Sequence, residues 1–182
     1  LEIRGAGNLL GAAQSGHIAA VGFGLYCQLL RRTIARLKGD EPPALIDVGL
    51  TLDFIELSPG SAEPAAAACL PYDYIEEEAH RMILHRRIAE ASAVKDLHAL
   101  RTEMSDRYGQ PPQAVLRLLR LAELRVTASA KRVGRIETRD NKIFIYRQRE
   151  RTPLLVHGHL PTLSGKDADA KLASILSALK RF

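Results

Sequence analysis

The residue pattern with the most direct chemical meaning is the run of glycines at the start of the chain. Gly5, Gly7 and Gly11 follow the spacing GxGxxxG, and Gly16 comes soon after. Glycine-rich loops that cradle phosphates follow a hydrophobic strand with the spacing GxGxxG, or they end in a Walker lysine. These glycines have neither context, so we interpret residues 1–16 as a structured loop that needs permissive backbone angles.

The histidines and carboxylates do not combine into a catalytic or metal-binding pattern. His80 and His85 are five residues apart, which puts them on different faces of a helix. His157 and His159 could share one face of a strand, but no third ligand completes the set. The run Glu76-Glu77-Glu78 is interpreted as an acidic helix N-terminus. We therefore expect no metal, no cofactor and no catalysis in these residues taken alone.

Composition further limits the classes of protein to which the chain can belong. The chain has 182 residues, is 46% hydrophobic and carries a formal net charge of +5, so it can bury a core of one ordinary domain. No apolar stretch approaches the roughly 18 residues of a membrane span, and residues 1–4 do not resemble a signal peptide. Cys27 and Cys69 lie too far apart for a disulfide scaffold or a paired-cysteine zinc site. We expect a piece of a longer protein, located in the cytoplasm.

The charges are strongly segregated along the chain. Residues 40–80 carry a net charge of −10, whereas residues 1–39, 81–132 and 133–182 carry +4, +6 and +5. An acidic segment between basic ones suggests internal docking or a charged partner surface. Solvated faces of unrelated elements would give the same segregation, so the charges alone do not choose between these interpretations.

The first half of the chain is predicted to contain a helix, a linker, a strand and a second helix. Apolar residues recur with helical spacing over residues 17–38, and Asp40-Glu41-Pro42-Pro43 then indicates a linker. A period of two over residues 46–54 predicts a half-buried strand. After a loop over residues 58–71, Asp73 is expected to cap a helix that runs to about residue 91.

The second half is predicted to be helical and then to form a hairpin. Ser92 is expected to cap a helix that ends at Gly109, and Pro111-Pro112 opens the next helix. Strands 135–139 and 142–147 form a hairpin around Asp140-Asn141, a further strand is expected over residues 154–160, and Asp167 caps a last helix. The predicted class is α+β: a helical arm, then a small domain of several helices packed with a short, mostly antiparallel sheet.

Nucleic-acid binding is not excluded by these patterns. The many Arg side chains could neutralise phosphates. We do not find aromatic residues interleaved with them as a base-stacking platform requires. Any contact with DNA is therefore expected to involve the backbone and not the bases.

The start of the chain resembles a known family, the bacterial transcription-repair coupling factor (Mfd). The similar segments lie in what is, in that family, the translocation motif after the second helicase lobe: residues 1–11, Gln14-Ser15-Gly16, Val21-Gly22-Phe23 and Leu25-Tyr26. Later segments are colinear with the family's C-terminal domain: residues 71–75, 86–89 and 106–109, with Pro112. The resemblance covers nearly the whole chain and implies two parts. Residues 1–40 are the motif and a connecting helix, and residues 41–182 are an autoinhibitory C-terminal domain.

This resemblance implies a parent protein that uses ATP and Mg to translocate on double-stranded DNA. Such a protein displaces stalled RNA polymerase and recruits the excision-repair protein UvrA. The family's coupling arginine and glutamine fall on Arg4 and Gln14. The family often has an acidic residue just before that glutamine; this chain has Ala12-Ala13, so a charge contact there is expected to be missing.

The resemblance also implies an interdomain docking surface. In the family, the C-terminal domain docks on a UvrB-like module near the N-terminus of the same protein and hides the UvrA-binding surface. The docking residues fall on Glu103, Asp106 and Arg107, which a helix places within one turn of each other. The alternative for these charges is an ordinary i,i+4 pair between Glu103 and Arg107, which stabilises a helix by only about 0.3–0.5 kcal/mol.

Two other functional classes stay open on the sequence. The translocase RecG has a similar Leu-Arg-Gly and Gln-Ser-Gly core, so a fork-remodelling translocase is one alternative. A non-catalytic nucleic-acid-binding module is the other, and it predicts salt-dependent duplex binding.

Overall fold

A computed structural model describes residues 46–57 and 65–182, all of which belong to one compact unit, Ile46–Phe182. The described residues form three strands and four helices in the following order: β1 (Gly49–Thr51), α1 (Glu78–Glu90), α2 (Val94–Tyr108), α3 (Gln113–Ala130), β2 (Val133–Arg139), β3 (Lys142–Arg147) and α4 (Ala168–Leu179). The α+β class is confirmed. The predicted helical arm and the predicted boundary after residue 40 lie outside the described residues.

Helix α3 is the central element of the fold. It follows Pro111-Pro112 as predicted, and it packs against α1, α2, α4 and β2. Its buried residues are spaced so that they occupy several neighbouring faces of the helix: Val115, Arg117, Leu119, Leu121, Ala122, Leu124, Val126 and Ala128. An 18-residue helix with so many buried positions has to be covered on several sides, and the surrounding helices and the sheet provide that cover.

Helix α2 has the predicted apolar stripe but not the predicted cap. Leu97, Leu100 and Met104 are buried, and the helix ends at Gly109, whose φ of +82° favours glycine. The N-cap is Ala93 rather than Ser92. Its backbone N–H donates to the Asp96 carboxylate at 3.0 Å, because that side chain lies three residues into the helix and can reach back.

Helix α1 begins later than predicted. Asp73 does not cap it, because residues 72–74 form a turn and residues 75–77 are not yet helical; Ile75 is buried there, only 2% exposed. Arg81 holds this non-helical segment: its Nη1 donates to the carbonyl oxygens of Ile75 at 2.6 Å and of Glu76 at 2.8 Å. Only the last residue of the acidic run therefore lies in the first turn of the helix.

The sheet is mixed, with the order β1-β2-β3. β1 pairs parallel with β2, because the three helices between them form the crossover that a parallel pair requires. β2 and β3 form the predicted antiparallel hairpin. Its turn residues Asp140 and Asn141 have φ values of 52° and 57°, as a two-residue turn with both residues in the left-handed region demands.

Strand β1 keeps the predicted alternation of burial but is shorter than predicted. Ile46 and Val48 are buried, whereas Asp47 and Gly49 are exposed. The chain turns at Asp53, whose backbone N–H donates to Thr138 Oγ1 at 3.1 Å while Thr138 Oγ1 donates to Asp53 Oδ1 at 2.6 Å. These two hydrogen bonds fix the turn at which the strand ends.

The strand predicted over residues 154–160 is wrong. Residues 154–163 run beside β3 and are joined to it by isolated backbone hydrogen bonds, from Leu154 N–H to Ile145 O at 2.7 Å and from Ile143 N–H to Pro161 O at 2.8 Å. Between these contacts the chain makes a tight turn, in which Val156 and His159 bridge each other. His157 and Gly158 have φ values of 52° and 81°, so the chain reverses there and cannot continue as a strand.

Helix α4 begins at the predicted cap, where the Asp167 carboxylate accepts the N–H of Ala170 at 2.7 Å. Its apolar side closes one hydrophobic core with the inner side of the sheet. The core residues with no measurable exposure include Leu172, Ile175 and Leu179 from the helix, and Ile136, Ile143 and Ile145 from the sheet.

Candidate docking surface

The predicted docking residues lie on the last two turns of α2. Met104 and Tyr108 turn inward there, Met104 with no exposure. Glu103 is half-buried, whereas Asp106 and Arg107 are exposed. The helix thus presents acidic and basic side chains next to its apolar stripe, as the spacing predicts.

The strongest contact at this position joins two helices. Arg87 of α1 donates from Nη1 and Nη2 to the two carboxylate oxygens of Glu103, at 2.6 and 2.7 Å. A bidentate pair of this kind has fixed geometry as well as charge. The hydrogen bond from Arg87 lowers the pKa of Glu103, and the same bond raises the pKa of Arg87.

The i,i+4 pair within α2 is the weaker of the two contacts. Arg107 Nη1 lies 3.9 Å from Glu103 Oε1, at the outer limit of an ion pair. Sequence reasoning considered this pair and missed Arg87. Arg87 is 16 residues away from Glu103, and helical periodicity gives no information on which residue of a neighbouring helix meets a given side chain.

Aromatic residues extend the surface beside the charges. The hydroxyl of Tyr74 lies 3.1 Å from the carbonyl oxygen of Met104 and 2.9 Å from that of Gly109, so it caps the C-terminal end of α2. Its ring makes an edge-to-face contact with Tyr108, with 6.1 Å between centroids. Burial is the main reason that the pKa of Tyr74 is raised.

His80 and Arg107 complete the contacts around Tyr108. The His80 ring lies 6.3 Å from the Tyr108 ring, and Arg107 Cζ lies 5.3 Å from that ring's centroid. His80 Nδ1 is 3.1 Å from Glu77. We call this surface the α1–α2 face and define it by Tyr74, His80, Arg87, Glu103, Asp106, Arg107 and Tyr108.

A second surface lies on the solvent side of the hairpin. The Arg135 guanidinium carbon lies 4.1 Å from the centroid of the Tyr146 ring, and that of Arg139 lies 5.5 Å from Phe144. Interleaving of aromatic residues with arginines was not found from the sequence; the structure shows it, because two strands bring together residues that are separate in the sequence. We call this surface the outer sheet face, defined by Arg135, Glu137, Arg139, Lys142, Phe144 and Tyr146.

An apolar groove of about 540 Å³ opens between β1, α1 and α3. Its polar lining includes His85 and Arg125, and burial is the main reason that the pKa values of both are lowered. His85 lines this groove, whereas His80 belongs to the α1–α2 face. The two histidines are on different sides of α1, as their spacing predicts.

The described ranges contain no arrangement of three or more His, Cys, Asp or Glu residues that could hold a metal ion. Cys69 is buried, and burial raises the pKa of its thiol. Among residues 46–57 and 65–182, no helix is long and apolar enough to cross a membrane. The predicted coupling residues Arg4 and Gln14 lie outside the described residues.

The fold is that of a known small α+β domain. A crystal structure of the C-terminal domain of a transcription-repair coupling factor matches this chain with a TM-score of 0.58 and 19% sequence identity. The match covers 74% of this chain and 91% of that chain, so it accounts for almost the whole of the other domain.

Sequence similarity identifies the family. Residues 65–154 match the TRCF domain. Transcription-repair-coupling factors of Haemophilus influenzae and Escherichia coli are 39% and 36% identical over 137 residues, which is 75% of this chain, and that of Myxococcus xanthus is 34% identical over 145 residues, or 80%. The chain belongs to the transcription-repair coupling factor family. It spans 11% of the length of each of these relatives.

Proposed function

We propose that this chain is the C-terminal regulatory part of an ATP-dependent double-stranded DNA translocase. In this proposal the longer protein displaces stalled RNA polymerase and recruits nucleotide excision repair through UvrA. Residues 41–182 dock on a UvrB-like module of the same protein and mask its UvrA-binding surface. The family match supports the proposal, and the relatives named above are coupling factors.

The exposed charges of the α1–α2 face are the observation that supports docking best. Asp106 and Arg107 point to solvent on the turn that follows the bidentate pair of Arg87 and Glu103. The pair holds α1 and α2 in one geometry, so the exposed charges have a fixed position. Charges at the edge of an interface give orientation and specificity with modest affinity, which suits a reversible contact between domains.

Reversing both exposed charges tests the docking. In the full-length protein, Asp106→Arg together with Arg107→Glu keeps the net charge but opposes every charge on the partner surface. We expect UvrA binding to become about tenfold tighter, because the variant forfeits about 1.4 kcal/mol of docking free energy. A UvrA titration of wild type and variant measures this directly.

The matched control is Glu150→Arg with Arg151→Glu. These two residues are also exposed, and their opposite charges make the pair neutral. They are adjacent in the loop after β3. The control is expected to bind UvrA like the wild type. Equal UvrA affinity for the docking variant and the wild type would sink the docking proposal.

We also propose that Arg4 and Gln14 couple ATP hydrolysis to movement. A guanidinium and an amide can exchange hydrogen-bond partners between two states of a motor. In the full-length protein, Arg4→Ala and Gln14→Ala are expected to abolish displacement of a DNA triplex while ATP hydrolysis continues. Gln28→Ala is the matched control for Gln14→Ala, and wild-type triplex displacement by both test variants would contradict the assignment.

A further inference from the structure

The outer sheet face carries an unusual concentration of positive charge. Residues 131–151 contain six Arg and two Lys against three acidic residues. Arg135, Arg139 and Lys142 are exposed on the hairpin; Arg147 at the end of β3 and Arg149 and Arg151 in the loop after it are also exposed. None of this charge belongs to the α1–α2 face, so the proposed docking leaves it unexplained.

A β-bulge creates this face. The pairing of β2 with β3 shifts between Val133 and Arg135, so that Gly134 is an extra residue. Without the bulge, Val133 and Arg135 would point to the same side of the sheet. With it, Val133 is buried at 1% exposure and Arg135 reaches the solvent. The bulge favours glycine, because a Cβ there would make a tight contact, 3.1 Å from Gln148 Cα.

The aromatic rings hold the guanidinium groups in place. Tyr146 is the direct cross-strand partner of Arg135, and Phe144 is the diagonal neighbour of Arg139. A planar guanidinium stacked on a ring keeps its N–H donors at its edge, where they can reach an anion. Arg135 and Arg139 are four residues apart on a strand, about 13 Å, so they can reach different groups of one extended anion.

Nearby carboxylates offset only part of the positive charge, because residues 131–151 contain three acidic residues against eight basic ones. Glu137 Oε1 lies 3.2 Å from Arg135 Nε, and Asp140 Oδ2 lies 3.9 Å from Arg139 Nε. A guanidinium has five N–H donors, more than one carboxylate oxygen accepts. The acidic residues position the arginines and leave an excess of donors.

We propose that the outer sheet face binds the phosphate backbone of duplex DNA. Single strands are bound by open aromatic faces on which bases stack, but the rings of Tyr146 and Phe144 are half-buried and covered by arginine. Protein interfaces are centred on a few side chains, mostly Trp, Tyr and Arg, that fill pockets of the partner, whereas the rings of this face are half-buried beneath arginine side chains. Fixed arginines on a flat sheet match a regular array of phosphates and carry no base specificity.

The test is DNA binding by the 182-residue chain. The anisotropy of a labelled 20-base-pair duplex is measured in titrations at several salt concentrations. We expect micromolar binding at low salt. Arg135→Gln with Arg139→Gln should weaken it about tenfold or more and reduce the slope of log K against log salt by about 2, since each arginine is expected to neutralise one phosphate.

Three further proteins make the test specific. Arg86→Gln with Lys95→Gln removes the same charge from exposed positions on α1 and α2, and should change the affinity less than twofold. Arg135→Lys with Arg139→Lys should keep the salt slope. Lys142→Gln leaves both stacked pairs intact and should weaken binding about threefold. This single variant keeps the test valid if Arg135→Gln with Arg139→Gln unfolds at a lower temperature than the wild type.

Several results would overturn the proposal. The wild type could fail to bind the duplex at 100 micromolar concentration or below, or the control with Arg86→Gln and Lys95→Gln could lose as much affinity as the test variant. Tighter binding of a single strand of the same sequence would refute the duplex assignment. Equal competition by poly-glutamate would assign the face to an acidic protein instead.

Discussion

Two arginine–carboxylate contacts tie the helices of this domain together, and they differ in their surroundings. Arg117 of α3 pairs with Asp169 of α4 at 3.1 Å, with only 9% and 26% of the two side chains exposed. Arg87 of α1 pairs with Glu103 of α2 at 2.6 Å, with 42% and 35% exposed. The same chemistry therefore occurs once in the interior and once on a surface.

The difference in burial separates a contact that maintains the fold from one that can exchange partners. Arg117 also donates to the carbonyl oxygen of Ala67 at 3.2 Å, so it joins three segments that are distant in the sequence. Arg117 is only 9% exposed, so little water could replace the Asp169 carboxylate as a partner of its charge. At the α1–α2 face, water or a docking partner can take the place of either side chain at small cost.

The largest expected effect comes from the interior pair. Arg117→Ala should lower the free energy of unfolding by about 3 kcal/mol, because Asp169 and the Ala67 carbonyl both lose a buried donor. Urea unfolding of the 182-residue chain measures the change. Arg101→Ala, an exposed arginine on α2, is the control and should change stability by less than about 0.5 kcal/mol. Similar losses in the two variants would show that burial does not distinguish them.

A second interior polar contact is also expected to stabilise the fold, with a smaller loss of unfolding free energy when it is removed. Thr138 is 5% exposed and is bonded twice to Asp53. Thr138→Val keeps the shape of the side chain but removes both bonds, and should cost about 1–2 kcal/mol. Thr127→Val, a half-buried threonine on α3, serves as the comparison. If the two variants unfold at the same urea concentration, the bond to Asp53 contributes nothing.

Sequence reasoning found the local features of this fold and missed those that depend on distant residues. The stripe of Leu97, Leu100 and Met104 and the cap at Asp167 follow from periodicity and from the chemistry of neighbouring residues. The Asp140-Asn141 turn likewise needs only its own two residues. These elements could be predicted because each is determined within a few residues.

The surfaces depend on contacts that no local pattern contains. Arg87 meets Glu103 because α1 and α2 both pack on α3, and the sequence spacing of 16 residues carries no such information. Tyr146 lies under Arg135 because a bulge shifts the pairing of two strands. The candidate docking residues were named from a family resemblance, whereas their interhelical partner required the structure.

The exposed pair should contribute less than either interior contact. Arg87→Gln, Glu103→Gln and the double variant form a double-mutant cycle measured by urea unfolding. We expect a coupling energy of about 0.5–1 kcal/mol, at the upper end for exposed pairs because the contact is bidentate. The control cycle uses Arg107→Gln in place of Arg87→Gln and should give less coupling, since that nitrogen lies 3.9 Å away. Coupling of about 3 kcal/mol would place the surface pair among the interior contacts.

The smallest expected effect is a pH dependence of the same pair. The hydrogen bond from Arg87 holds the pKa of folded Glu103 below its ordinary value. A carboxyl group whose folded pKa is depressed stabilises the fold above its unfolded pKa, which is about 4.3 for glutamate. That stabilisation is lost as the pH falls through the folded pKa, when the carboxylate takes up a proton and the ion pair ends.

Wild type and Glu103→Gln should therefore differ most in unfolding free energy at pH 6–7. The difference, about 0.5 kcal/mol after solvent screening of a side chain that is 35% exposed, should shrink as the pH falls below about 4.3. Glu150→Gln, an exposed carboxyl in the loop after β3, should show a smaller difference at pH 6–7. Because the three proteins share every carboxyl group apart from Glu103 and Glu150, comparing them isolates Glu103. A difference that grows on acidification would mean that protonated Glu103 is the form that the fold prefers, and the α1–α2 face would then lack the ion pair that holds Asp106 and Arg107 in position.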